Sequence, residues 1–181
     1  KISKWVNISI DDWFQHFYNV FNPDDEDDQL FTHDETIILD DSLDASIPQA
    51  EIVHSLKHLK NNKAAGMDGI TAEFIKASCD RIVPILSLLY NKMFELGQFP
   101  EDWSSALISP ILKKGDPNTP DNYRGISVLP VLSKIFTDIL NRSLTKWCDL
   151  NDKLAHEQGG FRKEHSTIDS IFCLSTLVTK Y

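Results

Sequence analysis

Two lysines and an arginine stand close together in residues 99–129, FPEDWSSALISPILKKGDPNTPDNYRGISVL, and the chemistry those side chains share is phosphate binding. Lys113 and Lys114 end an apolar run, residues 106–112, and a Gly-Asp-Pro-Asn turn follows. Arg124 then stands beside Tyr123 at the head of a second apolar run, residues 125–129. Lysine offers a mobile point charge, and arginine a planar fork that binds two oxygens at once. Apolar runs of this length, bounded by Gly, Pro, Asn and Asp, are strand signals. The spacing therefore predicts a hairpin with cations at its mouth.

Metal-binding chemistry finds less support. Asp24-Asp25 and Asp27-Asp28 lie in NPDDEDDQ, residues 22–29, where dense like charges repel and a solvated linker running to about Asp44 is expected. Asp40-Asp41 is a further acidic pair without an apolar hairpin around it. His54 and His58, four apart on one helical face, could share an ion, but no third ligand stands at a helpful spacing. No metal site is expected. Cys79, Cys148 and Cys173 are odd in number, far apart and never in a C-x-x-C, so they read as small buried hydrophobes in a reducing compartment.

The chain that must position these groups has 181 residues, room for one domain of ordinary size, and 41% hydrophobic residues. No apolar run approaches the roughly 20 residues that span a bilayer, and the start, KISKWVNISIDDW, has no secretory pattern. No membrane partner and an intracellular location, cytoplasm or nucleus, are expected. The net charge of −9 is unevenly spread: residues 1–51 hold 13 acids and 2 bases, residues 52–181 hold 14 acids and 16 bases. Phosphate binding depends on a local patch, so the global balance does not exclude it.

Ser9, Asp12 and the run Trp13, Phe14, Phe17, Tyr18, Phe21 predict a capped helix over 9–21 with an aromatic, core-facing stripe. Helices are predicted over 48–60, with Pro48 at its start, and over 80–96, ended by Gly97. A further helix starts at Pro130 and buries residues up to Leu144 and Trp147, and a last one is capped by Ser166 and Asp169. Between them, residues 60–76 form a corner in which Gly66 and Gly69 bracket a turn and Thr71 caps a short helix. Residues 149–165 read as a loop. The fold class is α+β, predominantly helical, with a short antiparallel hairpin; residues 1–46 form an N-terminal aromatic helix plus acidic linker, and 47–181 the main domain.

Three segments in series carry a resemblance: LKNNKAAGMDGITAEFIK (59–76), the opening stretch with LISPILKKGD and NYRGIS, and EQGGFRKEHSTIDSI (157–171). Together they resemble the N-terminal fingers part of the reverse transcriptases of non-LTR (LINE-type) retrotransposons. The resemblance implies that Lys113, Lys114 and Arg124 face the triphosphate of an incoming nucleotide. It implies that Gly160, Phe161 and Arg162 lie against the template strand, and that Lys63, Gly66 and Asp68 shape the template entry. RNA template, DNA primer, deoxynucleoside triphosphate and a palm and thumb segment are the implied partners, and Mg²⁺ the implied cofactor of the complete polymerase.

Two departures qualify the resemblance. Gly125 stands where many relatives have proline, so a looser hairpin is expected there. The palm aspartates that hold two Mg²⁺ in the family have no counterpart in these residues, so the chain alone is expected to carry no catalytic residue, to bind no metal and to be inactive. Missing its palm, it is expected to expose an apolar face and to self-associate. A truncated, non-catalytic remnant that binds nucleic acid or protein, and a helical adaptor with no nucleic-acid role, are the alternative readings.

Overall fold

Ser9 opens the first helix by satisfying two backbone groups at once: its Oγ accepts from the Asp12 N–H at 3.0 Å while the Asp12 carboxylate accepts from the Ser9 N–H at 3.2 Å. The computed structural model describes residues 7–22, 40–155, 158–160, 162 and 165–180. Its elements are α1 (Ile10–Phe21), α2 (Gln49–His58), α3 (Ala72–Ala77), α4 (Cys79–Leu96), β1 (Leu107–Leu112), β2 (Tyr123–Val128), α5 (Val131–Leu150) and α6 (Thr167–Lys180). Short 3-10 turns, Glu101–Ser104 and Pro120–Asn122, precede the two strands. Thr71 caps α3 through the Phe74 N–H, and Asp169 accepts from the Ser166 N–H ahead of α6. Pro48 is the N-cap of α2 rather than its first helical residue.

The core lies between α2, α3, α4 and α5. Ile52, Leu56, Ile75, Tyr90, Ile135, Phe136 and Ile139 are fully buried there. Burying an aliphatic or aromatic side chain of this size is worth about 1.5–3 kcal/mol, so this cluster supplies the main drive to fold. Tyr90 also carries a polar tip: its hydroxyl donates to the Leu132 carbonyl at 2.9 Å, and burial pushes the phenol pKa well above its ordinary value. Asn91 ties the entry of α2 to α4, its Oδ1 accepting from the Ile47 N–H at 2.7 Å and its Nδ2 donating to the Ile47 carbonyl at 2.9 Å.

A polar bracket joins α2 to α5. Arg142 donates to the carboxylates of Glu51 and Asp138, to the Glu51 carbonyl and to Ser55 Oγ, and Ser55 in turn donates to Asp138. The guanidinium fork is what allows one side chain to serve four acceptors. Closer to the C-terminal end of α5, Asp40 accepts from Trp147 Nε1 at 2.6 Å, from Ser42 Oγ at 2.5 Å and from the Ser42 and Leu43 amides. Residues 40–44 are thus a closed turn rather than the solvated linker expected to extend that far, and the rest of the acidic stretch, including Asp24, Asp25, Asp27 and Asp28, lies outside the described residues.

Several expected burials are not observed. Leu144 of α5 is exposed. Of the aromatic stripe on α1 only Phe17 is buried; Phe14, Tyr18 and Phe21 are exposed, because the surface α1 meets is a two-stranded hairpin and not a broad layer. Cys79 and Cys148 are half-buried and Cys173 is exposed, so burial does not describe all three thiols. Every apolar side chain of α6 is exposed, Phe172 to 70%. No described helix is long and apolar enough to cross a membrane.

Gly66 is where the corner of residues 60–76 meets the end of the hairpin. A Cβ there would lie 2.6–2.9 Å from Pro130 N, Pro130 Cα and Leu129 C, all backbone atoms. Gly66→Ala is expected to cost about 2–3 kcal/mol of unfolding free energy, read from the urea midpoint, because neither backbone can yield cheaply. Gly69, at φ +68° with open space around it, makes the matched comparison, and Gly69→Ala is expected to cost only about 1 kcal/mol.

The turn at Asp40 has a pH signature. Hydrogen bonds from Ser42 and Trp147 hold its carboxyl pKa down, from 3.8 to about 2. A depressed folded value means that its stabilisation is present above 3.8 and is lost as pH falls from there through about 2. The urea midpoint of the wild-type chain is therefore expected to fall towards that of Asp40→Asn between about pH 5 and pH 2.

Candidate nucleotide-phosphate site on the hairpin

Antiparallel pairing sets Leu107 against Val128, Pro110 against Gly125, Ile111 against Arg124 and Leu112 against Tyr123. The Lys113 N–H donates to the Asn122 carbonyl at 2.8 Å, which adds one rung beyond the strands. Side chains alternate between the faces of a strand, so one face carries Ile108, Pro110, Leu112, Tyr123, Gly125 and Ser127. The other carries Leu107, Ser109, Ile111, Arg124, Ile126 and Val128.

Helix α1 packs on the first face. Trp13 meets the Tyr123 ring edge-on with centroids 4.8 Å apart, a geometry favoured by the ring quadrupoles. Phe17 sits over Gly125, where a Cβ would lie 2.6 Å from a ring carbon. The aromatic ring of Phe17 fills the notch that the glycine leaves in the strand. His16 Nδ1 lies 3.2 Å from the Asp121 carboxylate, and Asn118 Oδ1 accepts from the Asn7 N–H at 3.0 Å, so α1 also reaches the turn. An apolar groove of about 500 Å³, lined by Trp13, Phe17, Phe21, Ile108 and Pro110, runs along the seam.

The second face is open. Ile111, Arg124 and Ile126 are exposed on it, and Lys113, two residues beyond Ile111, falls on the same side. Arg124 and Lys113 are therefore diagonal cross-strand neighbours, with Cα atoms about 7–8 Å apart by the usual geometry of such pairs. A phosphate chain can span that interval. Lys114 is exposed in the bend that follows. Among the described residues no carboxylate lies within salt-bridge distance of Lys113, Lys114 or Arg124. The nearby acids are directed elsewhere: Asp121 to His16, and Asp116 to the Asn118 amide at 2.9 Å. The turn closes on itself through Tyr123 Oη to the Pro117 carbonyl at 2.8 Å and Asn122 Nδ2 to the Asp116 carbonyl at 3.0 Å.

The other anticipated residues lie in two separate places. Asp68 accepts from the Ile70 N–H at 3.1 Å, and the Gly69 N–H donates to the Gly66 carbonyl at 3.2 Å, so Gly66 and Asp68 build the corner itself. Lys63 is exposed just ahead of it. The corner is held from below by Lys76 Nζ, which donates to the Leu59 carbonyl and to Asn61 Oδ1 at 2.8 Å. Glu73 accepts from the Asn62 N–H, which lowers its carboxyl pKa. Gly160 is exposed, and the nearest atom that a Cβ there would meet is Gln158 Nε2 at 3.8 Å. Arg162 donates to the Ala155 carbonyl within the same loop. Phe161 lies outside the described residues.

No group of three or more His, Cys, Asp or Glu among the described residues could hold a metal ion. Asp40 is committed to its own turn, and His58 Nδ1 lies 2.8 Å from the His54 carbonyl of its own helix.

Residue-by-residue reading missed two features that matter to the site. One is the docking of α1 on the hairpin, for which the available signal was the coincidence of an aromatic stripe with a side-chain-free position in a strand. The other is the Arg142 bracket, signalled only by a lone arginine on the buried side of an amphipathic helix.

The 34% identity to the probable RNA-directed DNA polymerase from transposon BS of Drosophila melanogaster extends over 126 residues, 69% of this chain and 14% of the relative. The RNA-directed DNA polymerase from mobile element jockey of the same species is 35% identical over 130 residues, 70% of the chain and 14% of the relative. The probable RNA-directed DNA polymerase from transposon X-element is 31% identical over 122 residues, 67% and 13% respectively. No family model matches the chain. The aligned region thus amounts to 13–14% of the length of these relatives. With three such matches covering about two thirds of it, the chain belongs to the family of RNA-directed DNA polymerases of non-LTR, LINE-type retrotransposons.

Proposed function

We propose that the chain is the fingers portion of a reverse transcriptase and that the open face of its hairpin binds the triphosphate of an incoming deoxynucleotide. The observation that carries this reading is the sharing of one exposed sheet face by Lys113 and Arg124, with no carboxylate within salt-bridge distance of either among the described residues. Arg124 offers two parallel N–H donors to one phosphate, and Lys113 and Lys114 offer mobile charge to the next. Phosphoryl transfer gains most of its rate from positioning and charge neutralisation, and cations on a hairpin supply both without themselves reacting.

In this reading the hairpin holds substrate and does no bond-making. The Mg²⁺ ions of a complete polymerase would be held by carboxylates other than those described here. Lys63 and the loop carrying Gly160, Phe161 and Arg162 are assigned to the RNA template: an exposed lysine meets phosphate, and an exposed glycine permits a strand to approach. The primer is DNA. Helix α6, with Ile168, Ile171, Phe172 and Leu174 exposed, is assigned to contact with the remainder of the polymerase. A chain that presents such a helix self-associates at high concentration.

Titration of the chain with a fluorescent deoxynucleoside triphosphate tests the reading. Lys113→Ala and Arg124→Ala are each expected to weaken binding about tenfold, equivalent to about 1.4 kcal/mol, and affinity is expected to fall as salt rises. Unchanged affinity in both variants would remove the hairpin from the nucleotide site.

A further inference from the structure

The face of the hairpin opposite Arg124 is where the strands are held in place. A two-stranded hairpin is marginal in water unless a helix or further strands pack on it. Among the described residues this sheet has two strands, and α1 packs on one face. The contact is specific. Phe17 is buried, although Phe14, Tyr18 and Phe21 on the same helix are exposed, and it sits over the one position in β2 without a side chain. Any Cβ at residue 125 would lie 2.6 Å from its ring and 3.1 Å from Ile108 Cγ2. Gly125 follows Arg124 directly, so the ring rests against the backbone that carries the arginine. Trp13 against Tyr123, on the other side of Arg124, makes the second point of the brace. His16 with Asp121 and Asn7 with Asn118 fix the turn between them.

We propose that α1 is a positioning helix for the phosphate grip. Phe17, seated in the notch at Gly125, is the positioning residue that fixes the strand bearing Arg124, although neither it nor any other α1 residue lies on the open face. The support is mutual: a helix of 12 residues is itself marginal alone, and the hairpin is the surface that stabilises it. Displacing α1 lets β2 twist and slide against β1. Arg124 and Lys113 then no longer share a fixed separation, and a ligand that bridges them pays the cost of ordering them. This inference rests on the proposed function for what the hairpin holds, and on the packing alone for what holds the hairpin.

The test measures two quantities in the 181-residue chain: amide hydrogen exchange of residues 107–128, and affinity for a deoxynucleoside triphosphate. Phe17→Ala is expected to speed exchange in the hairpin about tenfold while leaving the buried amides of α4 and α5 unchanged, and to weaken triphosphate binding several-fold. Phe17→Leu, which keeps apolar volume in the notch, is expected to restore most of both. Gly125→Ala is expected to behave like Phe17→Ala, and Gly125→Ala combined with Phe17→Leu, which removes the clashing ring carbon, to recover. Arg124→Ala separates the two ideas, because it is expected to lose binding with hairpin exchange unchanged. Wild-type exchange in Phe17→Ala would overturn the brace. Faster exchange with undiminished binding, where Arg124→Ala has lost binding, would overturn the positioning role. Should the wild-type chain bind no triphosphate, the phosphate reading fails, and the exchange data alone uphold or overturn Phe17 as the brace.

Discussion

The packing of one aromatic ring against one glycine organises the hairpin end of this chain. Phe17 can pack this closely on β2 only because residue 125 has no side chain, and the hairpin can hold its shape only because something lies against it. From that contact the two faces acquire different fates. The face towards α1 buries Phe17 and Tyr123, with Trp13 and Pro110 half-buried beside them. The other stays open, and alternation along the strands puts Arg124 and Lys113 on it. A shift of register by one residue would exchange the faces and turn Arg124 against the helix.

The rest of the fold serves as an anchor for this arrangement. Trp103, at the foot of β1, packs with Tyr90 and Phe136 in the core, and Gly66 lets the corner of residues 60–76 press against the backbone at Leu129 and Pro130. The foot of the hairpin is thereby tied to the helical core and its mouth to α1. Arg142, joining α2 to α5, and Asn91, joining α4 to the entry of α2, hold the core helices in register with each other. The polar groups in these brackets are hydrogen-bonded, and no buried side-chain polar atom among the described residues lacks a partner.

Much of this was legible in the residues. The capping box at Ser9 and Asp12, the cap at Thr71, the stop at Gly97 and both strands of the hairpin follow from local chemistry, and they stand within one or two residues of where that chemistry sets them. The cations at the mouth were legible for the same reason, since alternation and turn residues are local signals. What escaped was long-range. The exposure of Leu144, Phe14 and Phe172 depends on which partner surface each helix meets, and periodicity states only that a face is apolar, not what covers it. The Phe17 contact depends on a glycine far along the chain that reads locally as a weakness in a strand. Gly66 and Asp68 illustrate the converse: their spacing marks a turn, and the hydrogen bonds from Ile70 and Gly69 close it there.

The central claim is that the hairpin has a working face and a braced face, and isoleucine methyl groups report on each. Ile111 and Ile126 lie on the open face with Arg124, and Ile108 lies on the side of α1. In a methyl-resolved NMR titration of the chain with a deoxynucleoside triphosphate, the account predicts saturable shifts at Ile111 and Ile126 with Ile108 unmoved. Shifts centred on Ile108, or none at any of the three, would contradict it.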